Sequence, residues 1–211
     1  MYAVWYKMSD TPRKRGRPPA YDPDTALANA RDVFWSTGYE ASSLDELSAA
    51  MAMNRPSVYG AFGDKEALYL KALGRYRDDS VVAMREALDP VRPLRDGLAR
   101  AYAKAIETYL AGPQARGCFL IGTATTEAVG KHAVRDILRD SLRSFDRAIE
   151  DRMKLAVKRG ELGPKTKPVA LAAIASAIMH SLAVRARAGE PRAVLEALAR
   201  AGVDLICDQA P

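Results

Sequence analysis

Cysteine is nearly missing from this chain of 211 residues: Cys118 and Cys207 stand alone, far apart and in no CxxC pair. That argues against a disulfide scaffold or a zinc site and suits a reducing compartment, the cytoplasm. The two histidines, His132 and His180, have no motif partner nearby. No apolar run approaches the roughly 20 residues of a membrane span. The opening MYAVWYK is too short for a signal-peptide core, and no cleavage site follows it. Met8 is a second candidate start, so residues 1–7 are set aside from the fold argument. Catalytic signatures are missing too: there is no GxSxG, no Walker A loop, no GxGxxG after a strand and no HExxH. Neither an enzyme nor a bound cofactor or metal is expected. Sustained period-2 alternation, the mark of half-buried strands, is also absent.

What the chain has is enough apolar material for a core, 48% hydrophobic against 27% charged residues, and length for a small module plus a larger domain. It also has an uneven charge. Lys7, Arg13, Lys14, Arg15 and Arg17 face Asp10 alone within residues 1–20, so most of the formal net charge of +6 lies in this arm. A basic arm on a near-neutral body is either a solubilising tail or an electrostatic tether for a polyanion.

From Asp24 onward Ala, Leu, Arg and Glu dominate and the apolar spacing is helical. Breaks fall at Gly38, Ala52–Asn54, Gly63–Asp64, Asp89–Pro90, Gly112–Pro113, Gly130, Gly160–Pro168 and Gly189–Pro191, giving an all-α chain of about nine helices. The first, from about Asp24 to Thr37, buries Leu27, Ala30 and Phe34 on one face. The second opens at Ser43, with Glu46 three residues on to complete a capping box. Asn54 caps the third, and Pro56 sits in its first turn, where a missing amide costs nothing. Val58 and Phe62 point inward, which leaves Arg55, Ser57, Tyr59 and Gly60 outward. Two short helices joined by a turn, braced by an earlier helix, are the layout of a helix-turn-helix.

Residues 39–69 read YEASSLDELSAAMAMNRPSVYGAFGDKEALY. With Gly38-Tyr39 before the second helix, the run Met53–Tyr59 and Asp64–Leu68, this stretch resembles the DNA-binding domain of the tetracycline-repressor (TetR) family of bacterial regulators. The resemblance runs from about Asp24 to Tyr69. It implies three parts: the arm, 1–20; the helix-turn-helix domain, 21–68; and an effector-binding and dimerisation domain, 69–211. Three positions depart from the family pattern. Ala52 stands where glycine is frequent, a change that costs little unless positive φ is required. Gly60 and Ala61 stand where bulkier residues usually face DNA.

The resemblance, together with position in the helices, implies the roles of single residues. Ser43, Tyr59 and Lys65 form a phosphate set, two of them near helix N-termini. Arg55 is the base reader, its fork matching guanine O6 and N7. Asn54, Pro56, Ser57 and Gly60 complete the DNA-facing set, with Pro56 and Ser57 near a thymine methyl. Arg15-Gly16-Arg17-Pro18 resembles an AT-hook core, and Arg15 and Arg17 suit the narrow minor groove of A·T-rich DNA. The partner is then double-stranded DNA carrying an inverted repeat, bound by a homodimer. Competing readings are an architectural A·T-rich DNA-binding protein without an effector and a helical enzyme.

The body is expected to hold a neutral or weakly polar small effector. Tyr102, Ile106 and Tyr109 would form one wall, and Phe119, Thr123 and Thr126 another, with Cys118 close by. Glu127 is either an effector contact or an exposed helix-end acid. His180 is either a core histidine or a ligand contact. The last two helices, about 167–188 and 191–208, would form the dimer interface as a four-helix bundle with their two-fold mates, Ala172, Ala173, Ser176 and Ala177 permitting close approach and Leu171, Ile174, Ile178, Leu195, Leu198 and Ile206 supplying apolar area. The sequence does not separate which of these pack within the subunit.

Overall fold

The computed structural model describes residues 21–112 and 114–208. The expected contacts of Arg15 and Arg17 lie outside the described residues. Among those described, nine α-helices and no strand are present: α1 Pro23–Thr37, α2 Leu44–Ala50, α3 Arg55–Phe62, α4 Lys65–Ala87, α5 Leu94–Tyr109, α6 Thr125–Glu127, α7 His132–Lys158, α8 Pro168–Arg187 and α9 Arg192–Cys207. A π-helical turn, Leu120–Ala124, runs directly into α6.

Local chemistry sets the ends of the first helices. Asp22 caps α1, accepting from Thr25 N at 3.0 Å, and Gly38, with φ 85°, ends it. Ser43 and Glu46 form the reciprocal capping box of α2. The turn into α3 meets the condition under which Ala52 carries a cost. Ala52 has φ 52°, so the position does require the left-handed region that glycine enters freely.

Phe34 and Trp35 of α1 are both buried, whereas Leu27 is only half-buried. A seam of rings joins this helix to the body. Phe34 meets Tyr69 of α4 at 5.0 Å between centroids, Tyr69 meets Phe119 at 5.9 Å, and Phe119 meets Tyr76 at 5.6 Å. Each such pair adds about 0.5–1.5 kcal/mol beyond area burial. The N-terminal helices and the body therefore share one hydrophobic core. Helix α4 is its spine, about 35 Å long at 1.5 Å per residue.

At the far end, Arg152 of α7 is 4% exposed. It donates to the Arg92 carbonyl at 2.8 Å and pairs with Glu161 at 2.9 Å, clasping the α4–α5 connection to the end of α7.

Helix α8 corrects the expectation that no apolar run approaches a membrane span: it is apolar nearly all round and, by length and composition alone, long and apolar enough to cross one, as the buried core helix of a helical bundle also can be. Its two faces separate the residues that the sequence left together. Leu171, Ala172, Ser176, Leu195 and Ile206 are buried within the subunit, Ile178 and Leu198 are half-buried, and Ala173, Ile174 and Ala177 face outward. Ile174 and Val184 of α8 are 43% and 57% exposed, and Val194 and Leu205 of α9 are 42% and 60% exposed.

Candidate nucleic-acid interface

Helix α3 is held from below and open above. Asn54 accepts from Ser57 N at 2.9 Å and starts the helix. Val58 and Phe62 are 1% and 6% exposed and anchor it. Arg55, Pro56, Ser57, Tyr59 and Gly60 all face outward, with the Tyr59 ring 49% exposed. A Cβ added at Gly60 would meet nothing within 4 Å, so packing does not demand a glycine there. Beyond Tyr59 the exposed face therefore presents almost no side chain.

Three polar residues of this surface, Arg55, Ser43 and Lys65, already have partners. Arg55 forms a two-pronged pair with Asp45 of α2, Nε to Oδ1 at 2.7 Å and Nη2 to Oδ2 at 2.6 Å. The hydrogen bond from Arg55, and then its charge, hold the Asp45 carboxyl below its usual range. Sequence reasoning missed Asp45, since only the folded turn brings α2 and α3 together. The Ser43 hydroxyl accepts from Glu46 N at 3.1 Å, and Ser43 N donates to the Glu46 carboxylate at 2.8 Å. Lys65 Nζ donates to the Glu40 carbonyl at 3.3 Å and lies 4.6 Å over the Tyr39 ring. Lys131 approaches the same ring at 4.9 Å and pairs with Glu40 at 3.7 Å. Burial, followed by nearby acids, pushes the Tyr39 hydroxyl up to about 12.

A cavity of about 100 Å³ lies in the body, walled by α4, α5, α7, α8, the π turn and the residue Cys118 before it. Its uncharged polar lining is Tyr76, Ser80, Thr108, Tyr109, Cys118, Ser141 and His180, with Met84, Leu120, Phe145 and Met179 among the apolar walls. Tyr76 donates its hydroxyl to Cys118 Sγ at 3.6 Å. Burial pushes the Tyr76 and Tyr109 hydroxyls well above their ordinary range and raises the Cys118 thiol. Burial also lowers His180, which favours the neutral imidazole. The interior is thus uncharged near neutral pH; Lys104, at the rim, is solvated and paired with Glu107 at 3.5 Å.

Of the expected ligand contacts, Tyr109, Cys118 and His180 line this cavity. Six others lie elsewhere. Tyr102 is fully buried and donates to the Ala175 carbonyl at 3.1 Å, and Ile106 is 1% exposed, both in core packing away from the cavity. Phe119 belongs to the aromatic seam. The π turn explains the rest, because its wider coil breaks the spacing that put Phe119, Thr123 and Thr126 on one face. Thr123 accepts from the Tyr69 hydroxyl at 2.7 Å, and Thr126 is exposed. Glu127 points toward the α1–α2 connection, where burial and then the charge of Glu40 raise its carboxyl. The walls from α4 and α7 were missed, since no local pattern reports which faces of distant helices converge.

The family model "Bacterial regulatory proteins, tetR family" matches residues 26–72, and "Tetracyclin repressor-like, C-terminal domain" matches residues 97–201. The HTH-type transcriptional repressor ComR of Escherichia coli (strain K12) is 31% identical over 179 residues, covering 84% of this chain and 85% of its own. A cysteine mutant of the TetR family transcriptional regulator CifR, solved with 26bp double-strand operator DNA, is 34% identical. It covers 89% of this chain and 98% of its own, with a TM-score of 0.76. The reduced form of E. coli NemR shares the fold, with a TM-score of 0.77 at 18% identity, covering 89% of this chain and 98% of its own.

Proposed function

The chain belongs to the tetR family of bacterial regulatory proteins and is a DNA-binding transcriptional regulator; we propose that it acts as a dimeric repressor released from an inverted-repeat operator by a small uncharged effector. The observation that carries this reading is α3, capped by Asn54, anchored by Val58 and Phe62, and presenting Arg55, Ser57 and Tyr59 outward. Arg55 reads a base edge, Ser43, Tyr59 and Lys65 meet phosphates, and the arm with Arg15 and Arg17 follows the adjacent minor groove. Residues 21–68 form the reading head and 69–211 the effector and dimer domain, in the cytoplasm with the operator.

The outward apolar residues of α8 and α9 support the dimer, since a two-fold contact sets the same patch against itself. The neutral cavity supports the effector. Helix α4 serves both, with Tyr76, Ser80 and Met84 on the cavity wall and Lys65 at the DNA-facing end. An effector that prefers the conformer with wrongly spaced heads shifts the population, and coupling of about 1–3 kcal/mol changes operator affinity about 5–150-fold. The test is operator affinity of the dimer with and without a small molecule retained in this cavity. A saturating ligand that leaves affinity unchanged removes the switch and spares the DNA-binding role.

A further inference from the structure

We propose that Asp45 is the positioning residue that aims Arg55 at a guanine, so that base specificity belongs to an Asp–Arg pair spanning both helices of the reading head. The proposal rests on the assignment of Arg55 to a base edge and adds what sets its orientation. A guanidinium carries five N–H donors on a planar fork. Asp45 takes the side-on edge, Nε and one hydrogen of Nη2, at 2.7 and 2.6 Å. The end-on edge keeps the other Nη2 hydrogen and one Nη1 hydrogen, with no partner for Nη1 among the described residues. That edge offers the two parallel donors that guanine O6 and N7 accept. The carboxylate therefore does not compete with the base; it chooses which edge of the fork faces it.

Stability does not account for the pair. The Arg55 and Asp45 side chains are 53% and 73% exposed, and pairs this open add little to a fold. Arg55 is also the only charged residue of α3, and the bare surface at Gly60 leaves reading concentrated at the N-terminal end of the helix. The aim of one long side chain then decides much of the discrimination. Holding its rotamer before contact removes an ordering cost that binding otherwise carries. Asp45 has a cost of its own, because a carboxylate beside phosphates weakens binding to every sequence. Its two effects have opposite signs, and this separates them.

The experiment selects DNA from a random pool with the full-length wild type, Asp45→Ala, Arg55→Ala and the double variant. It then measures affinity for the wild-type site, for that site with the read guanine replaced, and for a random duplex. Asp45→Ala should lower discrimination at that guanine about tenfold and bind the random duplex as well as wild type or better. The selected motif should lose the same position that Arg55→Ala loses, and the double variant should discriminate no worse than Arg55→Ala. Asp45→Asn, which keeps the shape and one acceptor, should fall between wild type and Asp45→Ala, and it carries the test if the alanine variant misfolds. Tighter binding to all sequences with the motif intact would overturn the proposal, leaving Asp45 a mere counter-charge, and so would no change in either quantity. If Arg55→Ala itself leaves the motif unchanged, the base-reading assignment fails first.

Discussion

Trp35 of the reading head and Arg187 near the end of α8 donate to one acceptor: the Arg116 carbonyl takes the Trp35 indole at 3.3 Å and the Arg187 guanidinium at 3.2 Å. The Arg116 guanidinium lies 4.3 Å over the Trp35 ring and reaches Asp32 at 3.4 Å. The next residue, Gly117, has φ 65°, and a Cβ there would stand 2.5 Å from the Ala183 carbonyl. A short stretch of chain is thus pressed onto α8 while it holds α1.

The first prediction follows from that junction. Trp35→Phe keeps a ring over which Arg116 can lie and removes the N–H. Urea unfolding should show a loss of more than about 1 kcal/mol, the net worth of a typical hydrogen bond, because the smaller ring also leaves a void at a site only 4% exposed. Unchanged stability would mean that the indole N–H contributes nothing. Gly117→Ala should cost more, since backbone rather than a flexible side chain obstructs it.

The second concerns the α2–α3 turn. Ala52 holds φ 52° without glycine's freedom. Ala52→Gly should stabilise the protein by about 0.5–1 kcal/mol, the steric relief outweighing the greater entropy of the unfolded chain. Thermal unfolding measures it, and a lower midpoint would show that the turn carries no strain.

The strained alanine marks the border of what sequence could tell. Caps at Ser43 and Asn54 were readable because each bonds within three residues. The inward anchors Val58 and Phe62 were readable because helical spacing is local. Asp45 meets Arg55, and Glu127 feels Glu40, only through tertiary placement. The cavity wall depended on faces of α4 and α7 that no spacing reports. Helical periodicity also failed at Leu120–Ala124, where the π turn carries Thr126 to the surface.

The third prediction is assembly. Ile174→Glu and Leu205→Glu place charge on the outward faces of α8 and α9 and should give folded monomers by light scattering. Operator affinity should drop with them. Leu195→Ala, fully inside the subunit, should instead lower stability by about 2–5 kcal/mol. Dimers persisting in both glutamate variants would move the interface elsewhere.

The fourth is pH dependence. Burial lowers His180 from its ordinary 6.5, with Asp146 acting weakly the other way. The folded state therefore resists protonation. The stability this contributes is complete above the unfolded pKa and is lost as pH falls from there through the lower folded value. Wild type should lose more stability than His180→Gln between about pH 7 and 5. Parallel curves would exclude His180 as a source.

The DNA that the full-length protein selects from a random pool tests its two-fold, Arg55-dependent reading most directly. A two-fold dimer with one α3 per half-site should return an inverted repeat, its half-site centres about one helical turn or a small multiple apart. Each half should contain a guanine that Arg55→Ala no longer requires. An A·T-rich preference without two-fold symmetry, unchanged by Arg55→Ala, would contradict it and favour an architectural DNA-binding protein.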